Sequence, residues 1–84
     1  MNSKLKHIQD RIAYLKKRRK ELREEIPELE SKRDWADTHE SAQIWYHANV
    51  AVNQAKREVK RIEKELLELD RDRVELEMRS RRTW

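Results

Sequence analysis

Few side chains in this sequence could carry out chemistry on their own. The three histidines, His7, His39 and His47, are scattered, and none has a second strong metal ligand four residues away on the same helix face. The chain has no cysteine and no glycine, so thiolate metal sites and glycine-rich phosphate loops are excluded. No arrangement of serine, histidine and aspartate indicates a nucleophile. We therefore expect no enzymatic activity, with no catalytic residue, no metal, no cofactor and no small-molecule substrate.

Two acidic residues, Asp37 and Glu40, are notable for where they lie. Their spacing of three has the form of a capping box, in which each side chain accepts a hydrogen bond from the backbone amide of the other residue. Asp37 also lies at the midpoint between two apolar patterns. We therefore predict that these acids occupy the tip between two helices and that Asp37 starts the second one.

The apolar residues on each side of Asp37 recur at alternating steps of three and four, which is typical of coiled-coil helices. The upstream series is Leu5, Ile8, Ile12, Leu15, Leu22, Ile26 and Leu29, and the downstream series is Trp45, Ala48, Val52, Ala55, Val59, Ile62, Leu66, Leu69 and Leu76. Because the two series are mirror images, we predict an all-α fold, an antiparallel two-helix coiled-coil hairpin. In that register Leu15 faces Val59 and Leu22 faces Val52.

The predicted boundaries divide one domain into four parts. Helix 1 covers about 3–33, the tip 34–39, helix 2 about 38–80 and a frayed basic tail 81–84. Pro27 falls on an outward-facing position of helix 1, so we expect a kink there and not a break. Flanking charges agree with this hairpin, since the register places Arg11 beside Glu65 and Arg18 beside Glu58.

The composition suggests that one hairpin is not the whole assembly. Charged residues make up 45% of the 84 residues and hydrophobic ones 36%, and a single seam buries little area. The first half of helix 2 is apolar on nearly all sides, which normally means that it is buried on all sides. We expect a homo-oligomer, preferably a dimer forming a four-helix bundle, with a different protein partner as the alternative. The predicted interface residues are Trp35, Ile44, Trp45, Tyr46, Val50 and Ala51.

Basic residues form a second candidate surface. The net charge is +4, and the cations that could contact phosphates are Lys16, Lys17, Arg18, Lys20, Arg79, Arg81 and Arg82. An RNA- or DNA-binding hairpin dimer is therefore one alternative, and an ordinary solvated face is another. No apolar run has the length of a secretory signal core or a membrane span, so we expect a cytoplasmic protein without a membrane partner.

The tip sequence Asp37-Thr38-His39-Glu40-Ser41-Ala42-Gln43 resembles the Asp-x-x-Glu-Asn-Ala-Glu motif of the Gre transcript-cleavage factors, which lies at the tip of an antiparallel coiled coil. In that family the two tip acids enter a channel of RNA polymerase and help to hold a catalytic metal. The resemblance implies those roles for Asp37 and Glu40, with this chain acting as a regulator or inhibitor in the channel. The capping box accounts for the same two acids without a polymerase. The leading expectation is therefore a non-enzymatic scaffold, adaptor or regulator.

Overall fold

The computed structural model describes residues 3–82 of the chain and consists there of two long helices joined by a short turn. Helix α1 runs over Ser3–Thr38 and helix α2 over Ala42–Arg82. They pack along each other as an antiparallel hairpin with overall dimensions of 68 × 15 × 13 Å. The predicted all-α helical hairpin is confirmed.

Both helices are long because the sequence contains almost nothing that would stop them. Glutamate, lysine, arginine, leucine and alanine are good helix formers, and there is no glycine between the ends. Pro27 lies inside α1 with its ring exposed, so its missing amide donor lies on the solvent side of the helix. The helix continues through Pro27, and the kink expected there stays a prediction.

The predicted position of the tip is wrong by about one helical turn. Residues 34–38 belong to the last turn of α1, and the chain reverses at His39, Glu40 and Ser41. Ala36 extends the seam by one more layer, with none of its surface exposed, and this burial favours continuing the helix past the predicted stop. Helix α2 accordingly begins at residue 42 and not at 38. At its other end α2 includes residues 81 and 82, which were predicted to fray, while residues 83 and 84 lie outside the described part.

Moving the turn also changes which residues face each other. Leu15 and Leu22 of α1 pack in one cluster with Ala55 and Ile62 of α2, and Val59 lies beside that cluster. Farther from the turn, one shallow groove contains both Ile8 and Leu69, and another contains both Ile12 and Leu66. Each α1 residue therefore lies about one helical turn farther along α2 than the predicted pairs of Leu15 with Val59 and Leu22 with Val52.

Both predicted flanking ion pairs are nevertheless present. Arg11 Nε lies 2.9 Å from Glu65 Oε2, and Arg18 Nε lies 3.2 Å from Glu58 Oε1. The hydrogen bonds to these carboxylates raise the pKa of both guanidinium groups above the usual arginine value. Because an arginine side chain is long and flexible, the same pairs can form in either register. Such pairs indicate the antiparallel direction but do not determine the alignment.

Three arginines occupy layers where the apolar series has gaps. Arg19, Arg33 and Arg73 are all half-buried at the seam. Arg33 Nη1 donates to Asn49 Oδ1 at 3.1 Å, and Arg73 Nη2 lies 2.6 Å from Asp70 Oδ1. Arg73 Nε is buried without a hydrogen-bond partner among the described residues, so these layers are less favourable than leucine layers would be.

The turn is closed by a Schellman motif that ends α1. Ser41 N–H donates to the Ala36 carbonyl at 2.8 Å, and Glu40 N–H donates to the Asp37 carbonyl at 3.3 Å. Glu40 takes the left-handed conformation that this motif requires, with φ of 52°, where glycine is the usual residue. Ser41 then precedes α2, and its carbonyl accepts from Trp45 N–H at 2.9 Å. The predicted capping box is therefore wrong, because Asp37 lies inside α1.

This geometry predicts opposite effects for glycine at two nearby positions. Glu40→Gly should raise the free energy of unfolding by about 0.5–1 kcal/mol, because glycine adopts a positive φ without steric cost. Asp37→Gly, the matched control, should lower it by a few tenths of a kcal/mol, because it places glycine within a helix, where aspartate is somewhat less costly. Thermal and urea unfolding followed by circular dichroism would measure both changes. Stabilisation by Asp37→Gly together with destabilisation by Glu40→Gly would contradict this turn.

Candidate interaction surfaces

Large apolar side chains remain exposed close to the turn because the seam there is built from small residues. Ala36 and Ala48 fill the buried layers, with 0% and 4% of their surfaces exposed. The larger side chains lie on other faces of the helices, and Trp35 is 52% exposed and Tyr46 is 61% exposed. We define the near-tip surface as the six predicted interface residues. These are Trp35, Ile44, Trp45 and Tyr46, which are exposed, and Val50 and Ala51, which are half-buried.

The near-tip surface wraps around α2 instead of forming one flat patch. Ile44 and Ala51 are seven residues apart and continue the helix edge that carries Glu58 and its ion pair. Trp45 was predicted to lie in the seam, but it is only partly covered and lines a depression at the turn together with Ala36. A partner could therefore contact this end of the hairpin from more than one side.

One aromatic residue of this surface is held in place by its neighbour. The Trp35 and His39 rings stack with centroids 4.2 Å apart and planes inclined by 17°. His39 is fixed in turn by the end of α1, since its backbone N–H donates to the Trp35 carbonyl at 3.0 Å and Nδ1 lies 2.8 Å from the same oxygen. An exposed indole ordered before binding loses less conformational entropy when a partner covers it.

The two acids of the tip motif lie close together at the end of the molecule. Asp37 and Glu40 are both exposed, and both line the depression beside Trp45. Neither carboxylate makes an ion pair or a capping hydrogen bond with another residue in the described part of the chain. Residues 3–82 contain no group of three or more histidine, aspartate or glutamate side chains arranged to hold a metal ion. The pair alone also offers fewer ligands than the six that Mg²⁺ takes, so a bound metal would need ligands from a partner.

The predicted basic residues do not come together in one place. Lys16, Lys17 and Lys20 are exposed near the middle of α1, while Arg18 is occupied by Glu58 and by Glu21, whose carboxylate lies 3.4 Å away. Residues 79–82 lie at the far end of α2, roughly 30 Å from that run at 1.5 Å per helical residue. Arg79 and Arg81 are exposed, and the side chain of Arg82 lies outside the described atoms. One compact phosphate-binding site cannot include both groups.

A set of cations that the sequence analysis missed lies on α2. Arg57, Lys60, Arg61 and Lys64 are all exposed, and their spacing of three, four and seven places them on a single helix face. We call these four residues the basic stripe. Their spacing is readable in the sequence, but it is less conspicuous there than the consecutive cations of residues 16–20, which point in all directions around a helix.

Comparisons with known proteins do not supply an identity. No protein-family model, no curated protein and no solved structure matches this chain. Within the described residues, neither helix has an apolar stretch sufficient to cross a membrane. Any proposal about function must therefore rest on the surfaces described above.

Proposed function

We propose that this chain is a non-enzymatic interaction protein that self-associates through its near-tip surface. The observation that carries this proposal is the exposure of Trp35, Ile44, Trp45 and Tyr46 around one end of a hairpin. Burying large aromatic and aliphatic side chains stabilises an interface by about 1.5–3 kcal/mol each when they are fully covered. Clusters of this kind on a small protein are typical of interaction sites.

A second copy of the same chain is the partner that the packing favours. The buried core of the described residues is limited to seven side chains along one seam, among which Leu15, Leu22, Val52 and Ile62 are the larger ones. Small domains with so little core usually gain stability by association. Two hairpins packed through their near-tip surfaces would cover the exposed indoles and add a second apolar layer. A four-helix bundle is the simplest arrangement that does this.

If the near-tip surface forms the dimer interface, a charged side chain placed in it should weaken the dimer. Ile44→Glu should weaken the dimer at least about 100-fold in Kd, because each interface would bury two carboxylates without partners. Sedimentation equilibrium across micromolar concentrations would measure the change. Leu67→Glu is the matched control, since Leu67 is 73% exposed and lies far from the turn, and its dimer should keep the original Kd.

Two outcomes would contradict this proposal. A monomeric wild-type protein with full helicity at micromolar concentration would exclude self-association through any surface. Equal weakening by Ile44→Glu and Leu67→Glu would show that copies associate elsewhere. If the chain forms a complex only when a different protein is added, that result would instead support the alternative of a hetero-partner.

A second candidate is the Gre-like one, in which the acidic tip enters the channel of an RNA polymerase. The specific observation in its favour is Glu40, which occupies a left-handed position where glycine would be less costly, while its side chain has no structural partner among the described residues. A strained residue of this kind is a reason to look for a functional role. Asp37 lies beside it in the same depression. The narrow hairpin, 15 × 13 Å in cross-section between Cα atoms, would present both acids at its end.

The Gre-like candidate predicts that removing the two tip acids abolishes activity while the helices stay folded. Asp37→Ala combined with Glu40→Ala should abolish any effect of the protein on transcript cleavage or elongation by a purified bacterial-type RNA polymerase. Helicity should stay nearly unchanged, since neither carboxylate makes a described structural contact. Asp34→Ala with Glu28→Ala, which removes two exposed acids farther from the turn, is the control and should retain the effect. A wild-type protein without any effect on the polymerase would exclude this candidate.

A further inference from the structure

We infer that the basic stripe on the outer face of α2, formed by Arg57, Lys60, Arg61 and Lys64, binds the phosphate backbone of a nucleic acid duplex. The stripe begins seven residues after Val50 on the same face of α2, roughly 10 Å farther from the turn, and the inference does not require the proposed self-association. It also differs from the basic run of α1 that the sequence suggested.

Of the four carboxylates within four residues of the stripe, three are occupied by the other helix, and the fourth, Glu68, is exposed beyond Lys64 without an ion pair to a described residue. Glu58 pairs with Arg18, Glu65 with Arg11 at 2.9 Å, and Glu63 Oε1 lies 2.7 Å from Arg23 Nη2. Three arginines of α1 thus neutralise three of the four acids that would otherwise compensate the cations of α2. As a result, no residue of the stripe forms an ion pair with another described residue.

Repulsion between the cations of the stripe also destabilises α2. Arg57 and Arg61 are four residues apart, as are Lys60 and Lys64, and like charges at this spacing destabilise a helix by a few tenths of a kcal/mol per pair. Four exposed cations with one unpaired acid, Glu68, at their far end create a positive potential along one face. A polyanion that lies along this face would remove the repulsion and release its own counterions.

The dimensions and composition of the stripe favour a duplex. Its first and last residues are seven apart, or roughly 10 Å along α2 at 1.5 Å per residue. A duplex carries one phosphate charge about every 1.7 Å of its axis, so about six phosphates fall within that length. Arginine and lysine both pair well with phosphate oxygens. No aromatic residue occurs between residues 53 and 65, so this face has no platform for stacking unpaired bases.

The test is a titration of fluorescent 20-base-pair RNA and DNA duplexes of mixed sequence with the full chain. If the stripe contacts about four phosphates, the affinity should fall about 100-fold between 50 and 200 mM NaCl. The variant with Arg57, Lys60, Arg61 and Lys64 all replaced by glutamine should lose most of the affinity and most of this salt dependence. Its helicity should be retained, because glutamine is a good helix former and the replaced side chains are exposed.

The matched control removes four exposed cations from α1, with Lys4, Lys6, Lys17 and Lys20 replaced by glutamine. It has the same net charge as the stripe variant and should bind the duplexes nearly as well as the wild type. Equal loss in both variants would mean that net charge alone drives binding, and it would overturn the inference.

Absence of duplex binding at 50 mM NaCl would also overturn the inference. Displacement of the bound duplex by polyglutamate, added at the same concentration of charge, would overturn the inference as well, because it would identify an acidic protein as the partner. Sedimentation without nucleic acid measures self-association separately, so the two proposals can fail independently.

Discussion

The apolar seam between α1 and α2 is the constraint on which the rest of the molecule depends. With no disulfide and no metal cluster among the described residues, burial of Leu15, Leu22, Ala55 and Ile62 against each other holds the two helices together. The seam continues to the turn through small residues such as Ala36, and the aromatic residues there lie on other faces of the helices. The same packing that closes the hairpin therefore leaves aromatic residues exposed at its end.

Helix periodicity was enough to predict the fold class but not the alignment of the helices. Apolar residues spaced three and four apart determine which side of each helix is buried, and a shift by one turn places an equally apolar set in the seam. Placing the midpoint of the hairpin at Asp37 therefore predicts the wrong alignment of the two helices. The decisive feature, a Schellman motif with a positive φ at Glu40, has no glycine to mark it in the sequence.

The candidate surfaces were predictable to different degrees for physical reasons. The near-tip residues could be identified because a helix that is apolar on every side is unusual, whereas the fraction of each side chain that the other helix covers follows only from the structure. The basic stripe required knowing which acids are occupied, and that follows only from the cross-helix pairs of Arg11, Arg18 and Arg23. Net charge and consecutive cations do not contain that information. The surfaces lie at different distances from the turn along one narrow hairpin, so partners could bind them separately.

The most direct test of this account is the formation of a disulfide between Leu22→Cys and Ala55→Cys, which lie two heptads closer to the turn than Ile8 and Leu69, two residues that share a groove across the seam. Facing core positions approach the Cα separation of about 7 Å or less that a disulfide requires, and the small Ala55 favours a close approach. Mild oxidation at high dilution should give a disulfide within one chain, seen as a monomer of increased mobility on a non-reducing gel. Leu22→Cys with Ile62→Cys, one heptad away, is the mismatched control and should react more slowly. Products that are entirely of doubled mass at every dilution would contradict a hairpin formed within one chain.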